Sequence, residues 1–153
     1  MLRWILIIAS AFLTLTLPGC IVSPPEIAGQ SGGEISFART RESDEHKFIV
    51  SIIPLKEPIA INEIHSWRIR LTSIAGVPVR KAEIFIGGGM PDHGHGFPTR
   101  PRVTEQADAG EYLLEGVKFS MQGRWEIKLG IQASGEFDLV AFNTMVSLPA
   151  ASK

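Results

Sequence analysis

Apolar and polar positions follow three different rhythms along the 153 residues, and each predicts a different kind of segment. Residues 4–17 form an almost unbroken apolar run, interrupted only by Ser10 and two threonines and preceded by the single charge of Arg3. At about fourteen residues this run is short of the roughly twenty that a membrane-crossing helix needs, and it reads as the apolar region of a cleaved signal segment. Residues 21–47 show no sustained period. They carry Ser23-Pro24-Pro25, Gly29-Gln30-Ser31-Gly32-Gly33 and a charged run from Arg39 to Lys47, the composition of a flexible tether in which 34–37 can pair as an edge strand.

From Phe48 the period becomes two. Phe48 to Ile53 ends at Pro54; Trp67, Ile69 and Leu71 alternate with Arg68, Arg70 and Thr72; Ala82, Ile84 and Ile86 alternate with Glu83 and Phe85. The rhythm returns in 112–117, in Trp125, Ile127, Leu129 and Ile131, and in 137–146. Ala75-Gly76, Asp108-Ala109-Gly110, Gln122-Gly123 and Ser134-Gly135 supply turn chemistry between the runs. Six or seven short strands with such turns predict an all-β fold, an antiparallel immunoglobulin-like β-sandwich, with Trp67 and Trp125 in its core.

Composition adds a cysteine argument. Cys20 is the only cysteine, it closes the run Leu17-Pro18-Gly19-Cys20, and it cannot form an intramolecular disulfide. This tetrapeptide resembles the lipobox of bacterial lipoprotein precursors, which implies cleavage after residue 19 and lipid attachment at Cys20. The expected organisation is a signal peptide over 1–19, a lipidated cysteine and tether over 20–47, and a β-sandwich over 48–153, held at a membrane on the extracytoplasmic or periplasmic side of the bacterial envelope. Removing 19 residues leaves 134, enough for one domain without disulfides. The 15 basic and 16 acidic residues form no basic stripe, so nucleic acid is not an expected partner.

Candidate chemistry gathers in Gly87-Gly88-Gly89-Met90-Pro91-Asp92-His93-Gly94-His95-Gly96. Read as a glycine-rich loop, it brings Met90 near His93, and the two-residue spacing sends His93 and His95 to one face. Thioether and imidazole donors suit copper better than magnesium or calcium, and zinc would ask for more nitrogen or sulfur ligands than are present. Met121 is a further sulfur if its loop lies at the same end, and Asp92 can orient an imidazole from behind. His46 and His65 stand alone and are expected at the surface. No nucleophile motif or paired carboxylate suggests an enzyme.

The run from Gly89 to Gly96, followed by Pro98-Thr99-Arg100-Pro101-Arg102-Val103, Gly110-Glu111-Tyr112, Glu115-Gly116-Val117 and Met121-Gln122-Gly123-Arg124-Trp125-Glu126, resembles the YtkA-like domain family over roughly 77–146. The resemblance implies a small extracytoplasmic β-sandwich found in lipoproteins and membrane-anchored proteins, with links to copper handling. Related sequences often have His-Met-Pro-Gly where this chain has Ser120-Met121-Gln122-Gly123, so Ser120 removes one imidazole from the expected donor set. Two functions follow as expectations: a tethered protein that binds or delivers copper, or a module that docks on a membrane transport or respiratory assembly without metal.

Overall fold

Alternation of apolar and polar side chains allows a strand to bury one face and wet the other. The computed structural model describes residues 35–148, and there the period-two runs become strands; the expected signal segment, Cys20 and the first part of the tether lie outside the described residues. The strands are β1 (Thr40–Glu42), β2 (Phe48–Pro54), β3 (Ile64–Ser73), β4 (Glu83–Met90), β5 (His95–Gly96), β6 (Arg102–Glu105), β7 (Glu111–Lys118), β8 (Gly123–Ala133) and β9 (Glu136–Val146). All pair antiparallel, in a five-stranded sheet of order β1-β2-β3-β7-β6 and a four-stranded sheet of order β5-β4-β8-β9. With β1 set aside, this is the two-sheet strand order of an immunoglobulin-like sandwich.

The core is made by the residues the alternation picks out. Trp67, Ile69 and Leu71 on β3 and Trp125, Ile127, Leu129 and Ile131 on β8 are completely buried. Immunoglobulin domains often tie the corresponding strands with a disulfide. Here Phe119, just beyond β7, takes that place, with its ring edge-on to Trp67 at 5.9 Å and to Trp125 at 5.1 Å. Tyr112 joins the sheets at another point: its hydroxyl donates to the Val79 carbonyl at 2.9 Å and accepts from the Ala82 N–H at 3.0 Å, fixing the approach to β4.

Four features differ from the sequence reading. Nine strands form among the described residues, because β1, β5 and β6 are too short to show a period. The charged run assigned to the tether is folded: β1 pairs with β2, and the Asp44 N–H and Lys47 ammonium donate to the carbonyls of Leu139 and Phe137 on the free edge of β9. Asp138, only 3% exposed, accepts from the backbone N–H groups of Glu45, Lys47 and Leu139. The strand expected at 34–37 is absent from 35–37, and its role falls to 40–42, where polar side chains suit an edge.

The third difference is His65, which is 2% exposed rather than at the surface. The strand begins three residues earlier than Trp67, so His65 falls in phase with the core; its Nε2 faces the Ala60 backbone at 2.9 Å from the carbonyl. The fourth is the glycine triplet, which belongs to β4 and not to a loop. A Cβ on Gly88 would lie 2.1 Å from the Glu126 carbonyl oxygen, and one on Gly89 equally close to that of His95. Glycine is there because neighbouring backbones approach too closely for a side chain.

Candidate metal centre at the β4–β5 hairpin

The reversal between β4 and β5 needs only residues 91–94. The N–H groups of His93 and Gly94 both donate to the Met90 carbonyl, at 3.1 and 2.9 Å, and Gly94 takes the left-handed conformation (φ 67°) that closes the turn. Met90 pairs directly with His95 across the hairpin, and directly paired residues share a face. The pair divides its labour: Met90 is 5% exposed and completes the core wall, while His95 is exposed beside it. The Met90 methyl group packs where the missing side chain of Gly123 would be, since a Cβ there would sit 2.7 Å from it.

His93 and His95 come together as a pair. Both are exposed, and their rings lie nearly parallel, 19° apart in plane with centroids separated by 6.2 Å. Met121 lies at the same end of the sandwich, two residues before Gly123; its side chain is 38% exposed and its carbonyl accepts the Trp125 indole N–H at 3.0 Å. Trp125 stacks on Phe97, two residues past His95, at 5.9 Å and 11°. Met90, His93 and His95 thus share the hairpin, with two exposed imidazoles and one thioether in the wall, while Met121 is connected to it through Trp125 and the Gly123–Met90 contact.

Asp92 does not take the orienting role expected of it. Its carboxylate accepts from Arg124 Nη2 at 2.7 Å, and no hydrogen bond joins it to either imidazole among the described residues. Nor, among the described residues, does any group of three or more histidine, cysteine, aspartate or glutamate side chains converge so that it could hold a metal ion. Glu126, which pairs with Gly89 from β8, is engaged by Lys128 at 3.1 Å. Two imidazoles supplemented by sulfur suit a soft or borderline ion, and they leave hard oxygen-seeking cations poorly served. The sequence reading gave no role to Arg124, although it lies in the quoted run from Met121 to Glu126, nor to Phe97 and Phe119, whose ring contacts form only when the two sheets meet.

A family model described as YtkA-like matches residues 49–130, from β2 into β8 and across the whole hairpin. Among solved structures, the ZirS C-terminal domain is similar at 14% sequence identity, covering 92% of this chain and 88% of that chain with a TM-score of 0.44. No curated protein matches the chain. With more than half of its 153 residues matched by the family model, the chain belongs to the YtkA-like family.

Proposed function

We propose that this YtkA-like protein is a lipid-anchored component of the bacterial envelope that binds copper at the β4–β5 hairpin and holds or delivers it on the extracytoplasmic side. The observation that carries the reading is the exposed, near-parallel His93 and His95 pair, with Met90 as the cross-strand neighbour of His95. His93 and His95 are the principal ligands. Met121 is the accessible sulfur, and Met90 contributes only if its side chain turns out of the core wall. Cys20 supplies the membrane attachment, and a membrane transport or respiratory protein is the expected partner in delivery. The role is binding, not catalysis.

A competition titration with Cu(I) and Cu(II) on the Cys20→Ser protein tests this. The double variant His93→Ala with His95→Ala is expected to lose at least about 100-fold in affinity while keeping its melting temperature, because both side chains are exposed and outside the core. Binding should also weaken on acidification as protons compete for the imidazole nitrogens. Wild-type affinity no tighter than that of the double variant defeats the copper reading. A second reading, a docking module without metal, is favoured by one feature. Phe85, Gly130 and Leu139 lie side by side across the outer face of the four-stranded sheet, with Phe137 over Gly130, and all three large side chains are about half exposed.

A further inference from the structure

The turn that carries His93 is gripped from outside by a chain of polar groups. Arg124, at the start of β8, has a side chain only 19% exposed; its Nη2 donates to Asp92 Oδ1 at 2.7 Å and its Nη1 to Asn143 Oδ1 at 3.2 Å. Asn143, on β9, is fixed in turn, because its Nδ2 donates to the Ser36 carbonyl at 2.9 Å. Ser36, Asn143, Arg124 and Asp92 thus link the N-terminal segment to the hairpin turn across two strands.

An exposed ion pair between two free side chains contributes little, since ordering both costs what the attraction supplies. Arg124 differs, because its planar guanidinium is already oriented by Asn143 before it meets Asp92. The turn itself has few other restraints. Its two N–H groups share a single acceptor, the Met90 carbonyl, and neither histidine ring hydrogen-bonds to any described residue. The relative placement of the two rings is therefore set by the backbone of 91–94, and among the described residues the side chain that hydrogen-bonds to this turn from another strand is Arg124, through the Asp92 carboxylate.

We infer that Arg124 is the positioning residue of the hairpin, holding Asp92 so that His93 stays stacked against His95. The structural part stands alone; its bearing on copper rests on the function proposed above.

Hydrogen exchange by mass spectrometry on the full-length protein, run beside the copper titration, tests both parts. Arg124→Met is expected to speed exchange of the His93 and Gly94 amides about tenfold, to leave β8 and β9 protected, and to weaken copper binding about tenfold. Arg124→Lys should recover part of both losses, and Asn143→Ala should produce smaller changes in the same direction. Unchanged exchange at the turn, or exchange raised equally throughout β8 and β9, overturns the inference. Faster turn exchange with unaltered copper affinity overturns its functional half. Faster turn exchange in a protein whose wild type binds no copper supports the positioning role and defeats the copper reading alone.

Discussion

Substituting the three successive glycines of β4 one at a time by alanine separates steric exclusion from mere flexibility. Gly87 has ordinary surroundings: a Cβ there would meet only the Lys128 Cβ, at 3.9 Å. Gly87→Ala should change stability by no more than about 0.5 kcal/mol, and restriction of the unfolded chain favours a small gain. Gly88 has φ +129°, and its added Cβ would lie 2.1 Å from the Glu126 carbonyl oxygen, against the 3.0 Å that real Cβ atoms respect. The offending atom is backbone, so β4 and β8 must separate by about an ångström. Overpacking costs about 1–3 kcal/mol. Weakening the adjoining ladder bonds adds about 1 kcal/mol each, so Gly88→Ala should cost about 3–4 kcal/mol. Gly89→Ala should cost a similar amount, but by forcing β5 away through the His95 carbonyl, and should disturb the histidine pair as well. Urea unfolding of the Cys20→Ser protein, followed by fluorescence of the buried Trp67 and Trp125, measures all three. Equal losses for Gly87→Ala and Gly88→Ala, or a loss under about 1 kcal/mol for the latter, would refute the close-approach argument.

Burial alone would raise the Asp138 carboxyl, but the neighbouring Ser43 hydroxyl and the hydrogen bonds from the N–H groups of Glu45, Leu139 and Lys47 outweigh it and hold the group below the usual carboxylate range. The unfolded chain then takes up a proton first, so this contribution is fully present above about pH 3.9 and disappears as pH falls through the lower folded value. Asp138→Asn should destabilise the protein at neutral pH and flatten the acid limb of its stability curve; an unchanged limb in a pH series of urea melts counts against the clasp. Cys20→Ser should release the protein from membranes or leave an unprocessed precursor. An intact mass showing unlipidated mature Cys20 in the wild type would remove the anchor from the proposed function.

Much of the sandwich was legible because its long strands each bury one face. Every second residue from Trp125 to Ile131 is fully buried, and no helix or loop could satisfy that alternation. Turn positions were legible for a similar reason, since Gly76, Gly110, Gly123 and Gly135 all take positive φ, which other residues adopt at a cost. What escaped were the pieces whose structure depends on a partner. β1 is polar and three residues long, and its pairing with β2, the exposed edge of β9 and the carboxylate of Asp138 together explain why its segment folds against the sheets. His65 was misplaced because the alternation was begun one repeat late.

The β4–β5 hairpin shows the same division at smaller scale. The rings of His93 and His95 do lie side by side, but His93 is in the turn and not in an extended strand, so the turn backbone and not the two-residue alternation brings them together. The reading of the glycines as loop-formers attached them to the wrong element, since close backbone approach within β4 is what requires them. That error matters for the chemistry, because a floppy loop could fold its methionine onto an ion, whereas a strand residue paired with His95 and packed in the core wall cannot do so freely. The copper site proposed above would therefore depend on two exposed imidazoles and on Met121 more than on Met90. If those side chains hold copper as proposed, so few ligands at the surface would favour exchange of the ion over its retention. Delivery to a partner that completes the coordination is then a better physical match for this arrangement than storage.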